Sequence, residues 1–406
     1  RTLVISWSRP YPDAATLSTR DRELPPLPRH ILGAALERDS NDQFGAEPFW
    51  TREFVGAGPF KMDKWEPGSF IEGVPFAGHV RGRPKIERMK LVFLSDADTA
   101  LSNMLAGEVH LAADTVLRLE QVAILNREWG PRNLGEVLQH PNQWRAAFFQ
   151  FRPDVVGNKA LQDVRVRQAL AYSVDRNAIN EALYSGQGIF SDSMIAPTSE
   201  YGPAVQATAT SYPYDPQRAE QAMAQAGYSK VGGFFTSPTE GRPQFEVKTN
   251  AAADNESELS ILASGWRTVG FDMQQAVLPA AQAQDNQLRA TYPGLYVNNT
   301  NLGDAALLGE ASSAIPRAEN RWTGANRGGW SNSDYDRIVA QYNTTLDRTQ
   351  RTQQAAEMVR IFTADVGAIT LFMRTQPWAH VAGLTGMAVV APESTMTWDI
   401  ANWEFR

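Results

Sequence analysis

The chain has 406 residues, a formal net charge of −7 at pH 7 and no cysteine. This length exceeds what one hydrophobic core supports, so two or three lobes are expected. The acidic balance argues against a nucleic-acid or anionic-membrane partner, because both need a basic surface. The lack of cysteine excludes disulfides, thiol catalysis and cysteine-ligated zinc.

The first part of the chain is predicted to contain short strands and one regular helix. Residues 1–10 have the pattern of a strand that ends at a proline turn, and residues 90–94 have the pattern of another. Asp98 is expected to be the N-cap of the helix and Gly107 its end, with apolar residues along one face. Alternation of strands and helices is typical of an α/β lobe.

The second part of the chain has clearer helix signals. Asp163 is expected to begin a helix whose apolar residues follow the 3.6-residue period. Asp215 followed by Pro216 predicts an N-cap with proline at the first helical position. Residues 245–249 alternate as a half-buried strand, and Ser333 is expected to begin another helix. These elements predict a second α/β lobe.

Motifs of catalysis are absent from the sequence. It has no Walker loop, no dinucleotide-binding glycine motif, no HExxH and no GxSxG. Metal-ligand spacing is also missing among the histidines, which are His30, His79, His110, His140 and His380. The sequence therefore predicts no cofactor, no metal site and no enzymatic activity. A glycosidase-like hydrolase stays open as an alternative, because that chemistry needs only two suitably placed carboxylates among 45 acidic residues.

Several segments, taken in order, resemble one family of proteins. Residues 163–176, DVRVRQALAYSVDR, are the most characteristic of them. Shorter matches are GAGPFK at 56–61, WEPG at 65–68, GRPKIER at 82–88, DTAL to GEV at 98–109, YDP at 214–216, GWSNSDYD at 329–336 and WDIANW at 398–403. On these motifs the chain is identified as a member of the extracytoplasmic solute-binding protein family 5, which includes oligopeptide-, dipeptide- and nickel-binding proteins of ABC importers.

The resemblance implies an α/β fold of the periplasmic-binding-protein type II kind, with two lobes and mixed sheets. Residues 1–147, to which 375–406 return, are assigned to lobe I, and residues 148–374 to lobe II. Family members carry a much longer segment before the motif at 56–61. Lobe I is therefore expected to be incomplete, and the chain to be N-terminally truncated and without its signal peptide.

The same resemblance implies a mechanism and partners. Two lobes close on a ligand by hinge motion, and the closed form docks on the membrane permease of an ABC importer. The protein is expected to be periplasmic and monomeric, to bind a peptide or another small molecule, and not to bind nucleic acid. A receptor or chaperone that uses the same fold stays open as a further alternative.

Ligand-binding residues are expected in two segments of lobe II. In the first, family members often carry a tryptophan and an aspartate that grip a peptide's first residue and its amine, and here Asn299 and Leu302 fall at those positions. A peptide amine would lose a charge-assisted partner worth about 1.5–3 kcal/mol. Asparagines suit an uncharged polar ligand, and equally suit a polar turn. The candidates in this segment are Tyr296, Asn298, Asn299 and Asn301.

The second segment combines tryptophan and arginine with glycine. Such side chains can stack on a ligand and hold a carboxylate through two parallel hydrogen bonds, whereas a loop held by tryptophan packing would show the same residues. The candidates are Arg321, Trp322, Arg327 and Trp330, with Trp144 at the lobe junction as a further residue. The predicted function is the capture of a peptide-like or other small polar solute for an ABC importer.

Overall fold

The computed structural model describes residues 4–14, 27–94, 96–113, 116–184, 186, 188–387 and 397–406. Its strands are β1 Phe60–Glu66, β2 Phe70–Pro75, β3 Met89–Val92, β4 Leu111–Ala112, β5 Gly135–Phe149, β6 Ser229–Val231, β7 Phe234–Thr236, β8 Gln244–Asn250, β9 Asp272–Leu278, β10 Leu295–Thr300, β11 Ala368–Val381, β12 Leu384–Thr385 and β13 Glu404–Phe405. Its α-helices are α1 Arg29–Arg38, α2 Asn41–Gly45, α3 Ala97–Ala106, α4 Leu119–Trp129, α5 Val164–Tyr172, α6 Arg176–Tyr184, α7 Gly202–Gln206, α8 Pro216–Gln225, α9 Ala253–Val269, α10 Asn286–Ala290, α11 Gly303–Gly309, α12 Ser333–Tyr342 and α13 Arg348–Ala364. None of the described helices has the length and apolar character needed to cross a membrane.

Contacts between residues divide the chain into two units. Unit 1 contains Pro141–Thr375 together with the N-terminal residues up to Pro12, and unit 2 contains Asp13–His140 and Gln376–Arg406. β5 and β11 both run through a division point, so the chain passes from one unit to the other within strands. The functional lobes expected from the sequence, 1–147 with 375–406 and 148–374, stay a prediction.

Unit 1 is built on a mixed sheet with the strand order β11-β5-β10-β8-β9. β10 pairs antiparallel with β5, with Leu295 opposite Phe149, whereas β10 is parallel to β8 and β8 is parallel to β9. The three parallel strands therefore end at one edge of the sheet, which we call the carboxyl edge, at Asn250, Leu278 and Thr300. The predicted α/β fold with mixed strands is confirmed.

Helices cover both faces of this sheet. On one face, α9 belongs to the same apolar cluster as the inward residues of the strands, with Leu259 and Trp266 buried together with Phe245 and Val247. On the other face, β5 and β11 pack with α11, α12 and α13 in a second cluster. Alternate residues of β8 are buried, as predicted for a half-buried strand. Each large apolar side chain buried in this way contributes about 1.5–3 kcal/mol.

Two helices of unit 1 have side-chain N-caps at the residues that the sequence predicts. The Asp163 carboxylate accepts from the Arg165 amide at 2.8 Å, and the Asp215 carboxylate accepts from the amides of Gln217 and Arg218 at 3.1 and 3.0 Å. Each cap satisfies an amide that has no partner within the helix and contributes about 0.5–2 kcal/mol. Both predicted helix starts are confirmed.

Two predictions for the first part of the chain are wrong. The N-cap of α3 is Asp96, whose carboxylate accepts from the backbone amide three residues later at 2.7 Å, and Asp98 lies in the first helical turn instead. Residues 4–10 form no strand, because their apolar side chains are largely exposed and no described strand pairs with them. Residues 1–3, which belong to the same predicted strand, lie outside the described residues.

Unit 2 has its own small core. Its helices α3 and α4 pack together through Met104, Leu125 and Trp129, which are almost completely buried. β1, β2 and β3 form an antiparallel sheet with β2 in the middle. β4 pairs antiparallel with the end of β11, where Ala112 lies opposite Ala379, and β12 pairs with β13.

Candidate functional site

The predicted residues of β10 lie at or near the carboxyl edge of unit 1. Tyr296 and Asn298 are buried, Asn299 is half-buried, and Asn301, just beyond the strand, is exposed. Because side chains alternate along a strand, Tyr296 and Asn298 lie on the sheet face opposite to that of Asn299. The asparagines therefore lie on different faces and do not form one continuous polar surface.

Tyr296 and Asn298 make polar contacts at this edge. The Tyr296 hydroxyl donates to the Asn250 side-chain oxygen at 2.5 Å, which joins the ends of β8 and β10. The Asn298 side-chain oxygen accepts from the Asn299 amide at 2.9 Å, while its buried Nδ2 has no partner in the described part of the chain. A buried donor without an acceptor costs about 1–3 kcal/mol, so this group would gain from a ligand acceptor.

On the α9 face, Asn299 lies beside a buried ion pair. The Arg145 Nε donates to the Glu258 carboxylate at 2.8 Å, and Nη2 makes a second, shorter contact with the same oxygen. Nη1 approaches the Asn299 side-chain oxygen at 3.5 Å. The side chains of Arg145 and Glu258 are only 3% and 2% exposed, so the pair is closed to solvent. The pair therefore reaches β10 through Asn299 and is enclosed by protein.

The loop 317–330 carries the second group of predicted residues. Arg321 and Trp322 have φ angles of 55° and 59°, in the left-handed region that such side chains rarely adopt. The buried Asn326 side chain holds the loop, since its Nδ2 donates to the Trp330 carbonyl at 2.7 Å and its oxygen accepts from the Trp330 amide at 3.0 Å. Arg321 is exposed and Trp322 is half-buried, so both belong to the outer part of the loop.

Trp144 and Trp330 lie within the apolar cluster that involves α11, α12 and α13, with exposed fractions of 0% and 2%. Both rings meet Phe362 edge-on, at centroid distances of 6.0 and 5.0 Å. The Trp330 indole donates to the Asp365 carboxylate at 2.7 Å, whereas Nε1 of Trp144 has no partner among the described residues. Both rings are enclosed by protein in this structure, and their contact with a ligand stays a prediction.

Arg152 joins the loop to the segment that precedes β10. Its Nη2 donates to the carbonyls of Ala290 and Arg327, the latter at 2.6 Å, and its Nη1 donates to the Pro316 carbonyl at 3.1 Å. One nitrogen thus holds two chain segments at the same point, and Arg289, next to Ala290, comes close to Arg327. No sequence motif or spacing points to Arg152 or Arg289 as residues of the site.

The charges around Arg327 are poorly balanced. Burial lowers the pKa of the Arg327 guanidinium, and the positive charge of Arg289 lowers it further, while Tyr296, Tyr292 and Glu310 act in the opposite direction. Burial also raises the pKa of the Glu310 carboxyl to about 8, an effect that the charge of Arg327 partly offsets. At pH 7 Glu310 is therefore mainly protonated and does not neutralise the two arginines.

Replacing Glu310 by glutamine should flatten the pH dependence of stability. The carboxyl titrates near 4.5 in the unfolded chain and at about 8 in the folded protein, so the unfolded chain releases the proton first as the pH rises. The stability that this group contributes is fully present below about pH 4.5 and is lost as the pH rises through about 8, by up to ~1.4 kcal/mol per pH unit. Urea unfolding of both proteins between pH 5 and 8 measures the difference; parallel stability curves would contradict this account.

Leu302 occupies the position where the resemblance predicts an aspartate. It is 4% exposed and belongs to the apolar cluster with α11, α12 and α13. The next acid along the chain, Asp304, accepts from the Arg351 guanidinium at 2.8 Å. Neither position offers an unpaired carboxylate to a ligand amine. Among the described residues, no three histidine, aspartate or glutamate side chains are grouped as ligands of a metal ion.

Comparison with known proteins relates this chain to solute-binding proteins. It is 24% identical over 351 residues to heme-binding protein A of Haemophilus influenzae. The aligned region covers 83% of this chain and 56% of that protein. It is also 24% identical over 390 residues to the glutathione-binding protein GsiB of Salmonella typhi. That aligned region covers 93% of this chain and 68% of that protein. The chain thus spans between about half and two thirds of the length of these relatives.

Solved structures share the fold. The oligopeptide-binding protein AppA from Bacillus subtilis, in complex with a nonapeptide, has a TM-score of 0.67 at 18% identity, over 94% of this chain and 72% of that one. NikZ from Campylobacter jejuni, in complex with Ni(L-His), has a TM-score of 0.71 at 20% identity, over 97% and 75%. These likenesses confirm the expected type II binding-protein fold. The profile of the bacterial extracellular solute-binding proteins, family 5 Middle, matches residues 1–306, and the chain therefore belongs to family 5 of these proteins.

Proposed function

We propose that the chain is the substrate-binding component of a bacterial ABC importer, which captures a peptide-like or other small polar solute and delivers it to the membrane permease. Membership of a family of extracellular solute-binding proteins carries this proposal. The names of its relatives support it, since they bind heme or glutathione, and structures of the same fold hold a nonapeptide or a nickel–histidine complex. The protein acts outside the cytoplasmic membrane, in the periplasm.

The ligand site includes the carboxyl edge of unit 1, and the residues of the loop 317–330 stay a prediction, since Arg152 ties this loop to Ala290, which precedes β10. Ligands of open α/β sheets bind beyond the carboxyl ends of the parallel strands, and this edge carries Asn250, Asn299 and the exposed Asn301. Their amide groups favour a ligand with amide or hydroxyl groups of its own. The buried Leu302 makes a free amine at this position a weaker ligand group, because no carboxylate is present there to pair with it.

The protein binds its solute without converting it, in keeping with relatives that are named as binding proteins. The net charge of −7 supports the expectation that nucleic acid is not a ligand. We expect one chain to be the working unit, which light scattering on the purified sample measures. No specific observation favours the hydrolase or the receptor alternative.

A binding screen with the purified chain tests this function. Di- to pentapeptides, glutathione and the nickel–histidine complex are added one by one, and binding is followed by thermal unfolding and then by calorimetry. One class of compound should bind once per chain, and mass spectrometry should recover it unchanged. Failure of every class to bind, or recovery of a cleaved product, would sink the proposal.

Asn301 provides the matched variant for this screen. Asn301→Ala should weaken binding of the solute by ~2–10-fold, as expected for the loss of one hydrogen bond between uncharged groups. Asn126→Ala, at an exposed asparagine of α4 in unit 2, is the control and should bind normally. Equal affinities of the two variants would remove Asn301 from the site.

A further inference from the structure

Two buried side-chain donors of unit 1 have no acceptor in the described part of the chain. They are Nε1 of Trp144 on β5 and Nδ2 of Asn298 on β10, two residues that are 0% and 7% exposed. Buried polar groups in folded proteins are nearly always hydrogen-bonded, because an unpaired buried donor is costly. Two unpaired donors in one region therefore indicate a position that another molecule fills.

The pairing of the strands brings these two donors together. Trp144 lies opposite Thr300 and Asn298 lies opposite Ala146, so both side chains lie on the sheet face that carries α11, α12 and α13. They are diagonal neighbours, which stand about 7–8 Å apart in an antiparallel pair and can meet through long side chains. One acceptor oxygen at ordinary hydrogen-bond distance joins two donors that are up to about 6 Å apart.

A third donor lies on the same face at the end of β8. Tyr296 and Lys248 are partners in the parallel pairing of β10 with β8, and Asn298 and Asn250 follow two residues later on the respective strands. The Tyr296 hydroxyl donates to the Asn250 side-chain oxygen at 2.5 Å, and Nδ2 of Asn250 donates to no described residue. The neighbouring strands β5, β10 and β8 thus carry three N–H donors, which we call the donor row.

The accessible end of the donor row is at the carboxyl edge. Asn250 and Thr300 are half-buried, and Thr300 lies opposite Trp144 on the same face. The buried donors of Trp144 and Asn298 therefore lie directly behind side chains that a solute at this edge can touch. An oxygen of the solute that enters beside Thr300 meets both donors.

We propose that the donor row binds a carbonyl oxygen of the solute, as in a peptide or another amide. The side-chain oxygens of Asn298 and Asn250 already accept from the Asn299 amide and the Tyr296 hydroxyl, so only their donors remain. Donors alone fit an oxygen that only accepts, whereas a hydroxyl would bring a proton of its own. The row is uncharged and so favours a carbonyl over a carboxylate, whose burial requires a cation. The inference rests on the proposed function and specifies a functional group of the solute.

Titration of the full chain with two small compounds tests this site. N-acetylglycinamide is uncharged and has two amide carbonyls, whereas glutarate has two carboxylates. Each is added separately at constant ionic strength, and the thermal unfolding midpoint is recorded against concentration. N-acetylglycinamide should stabilise the protein in a saturable manner and bind more tightly than glutarate. Absence of saturable stabilisation by N-acetylglycinamide, or tighter binding of glutarate, overturns the proposal.

Variants of the donor row measure its contribution to binding. Asn298→Leu should raise the dissociation constant of N-acetylglycinamide about ten-fold, and Asn250→Ala, at a half-buried position, should raise it ~2–10-fold. Asn126→Ala, at an exposed asparagine of α4, is the control and should bind as the unchanged protein does. Affinities of both row variants equal to that of the control overturn the site.

Stability without added compound separates a solute site from an internal water molecule, which is a common partner of buried polar groups. The Asn326 amide nitrogen donates to three backbone carbonyls, so Asn326→Leu should lower the unfolding midpoint strongly. Asn298→Leu removes a donor that has no partner and should lower the midpoint far less. Equal losses in the two variants would show that water already occupies the donor row, which overturns the proposal.

The remaining outcomes separate this inference from the broader function. A solute from the screen that binds Asn298→Leu and Asn250→Ala with unchanged affinity overturns the carbonyl site, yet leaves solute binding in place. Binding of N-acetylglycinamide that depends on both asparagines, together with failure of every compound in the screen, supports the site and removes the broader function.

Discussion

Arg145→Met should lower the free energy of unfolding by about 3–5 kcal/mol, because it leaves the Glu258 carboxylate buried without a partner. The two side chains are 3% and 2% exposed, so water cannot replace the lost contact. Urea unfolding at neutral pH measures the effect. Arg360→Met is the matched control, since Arg360 and Glu357 form an exposed pair on α13 whose loss should change stability little.

The double variant Arg145→Met with Glu258→Leu sharpens this result. Replacement of both charges by apolar groups removes the unpaired carboxylate, so most of the lost stability should return. If Arg145→Met costs no more than Arg360→Met, the ion pair is not enclosed as described. If the double variant is as unstable as the single one, packing rather than charge accounts for the loss.

Trp330→Ala should lower the free energy of unfolding by about 3–5 kcal/mol, since it opens a cavity among Phe362, Tyr335 and their neighbours. It also removes the indole donor of Asp365, whose other oxygen stays paired with Arg167 at 2.6 Å. Thermal or urea unfolding measures the change. Trp398→Ala, at a tryptophan of unit 2 that is 53% exposed, is the control with a small expected effect.

The expected instability of Trp330→Ala determines which substitution can be used to test ligand binding at Trp330. An alanine variant that is close to unfolding would lose binding for reasons unrelated to contact with the ligand. Trp330→Phe keeps an aromatic ring in the cluster and should therefore cost much less stability. Equal stability losses in Trp330→Ala and Trp398→Ala would show that the ring is not part of the core.

Local signals in the sequence predicted the helices of unit 1 well. Asp163 and Asp215 are caps because an aspartate followed by a 3.6-residue apolar period has few other stable arrangements. The start of α3 was harder to predict, since Asp96 and Asp98 can both accept from a helix amide and only the backbone conformation decides between them. The strand predicted over residues 1–10 failed for residues 4–10 because a strand needs a partner, and partners are not visible in a local pattern.

The candidate site was less predictable because it depends on tertiary contacts. The asparagines of β10 are close in sequence, yet the alternation of side chains places Asn298 and Asn299 on opposite faces. Nothing in the sequence around Trp330 distinguishes a buried ring from a ring that stacks on a ligand. Arg152 ties Arg327 to Ala290, the residue after Arg289, and such bonds to backbone carbonyls leave no trace in residue spacing.

The way in which the loop 317–330 is held has a consequence for substitutions on its outer side. Its backbone is fixed from inside, by the amide of Asn326 and the guanidinium of Arg152. The outward side chains of Arg321 and Trp322 are not needed for that support. Substitutions at these two positions should therefore leave the internal hydrogen bonds of the loop in place, so that their effect on ligand binding can be measured apart from the fold.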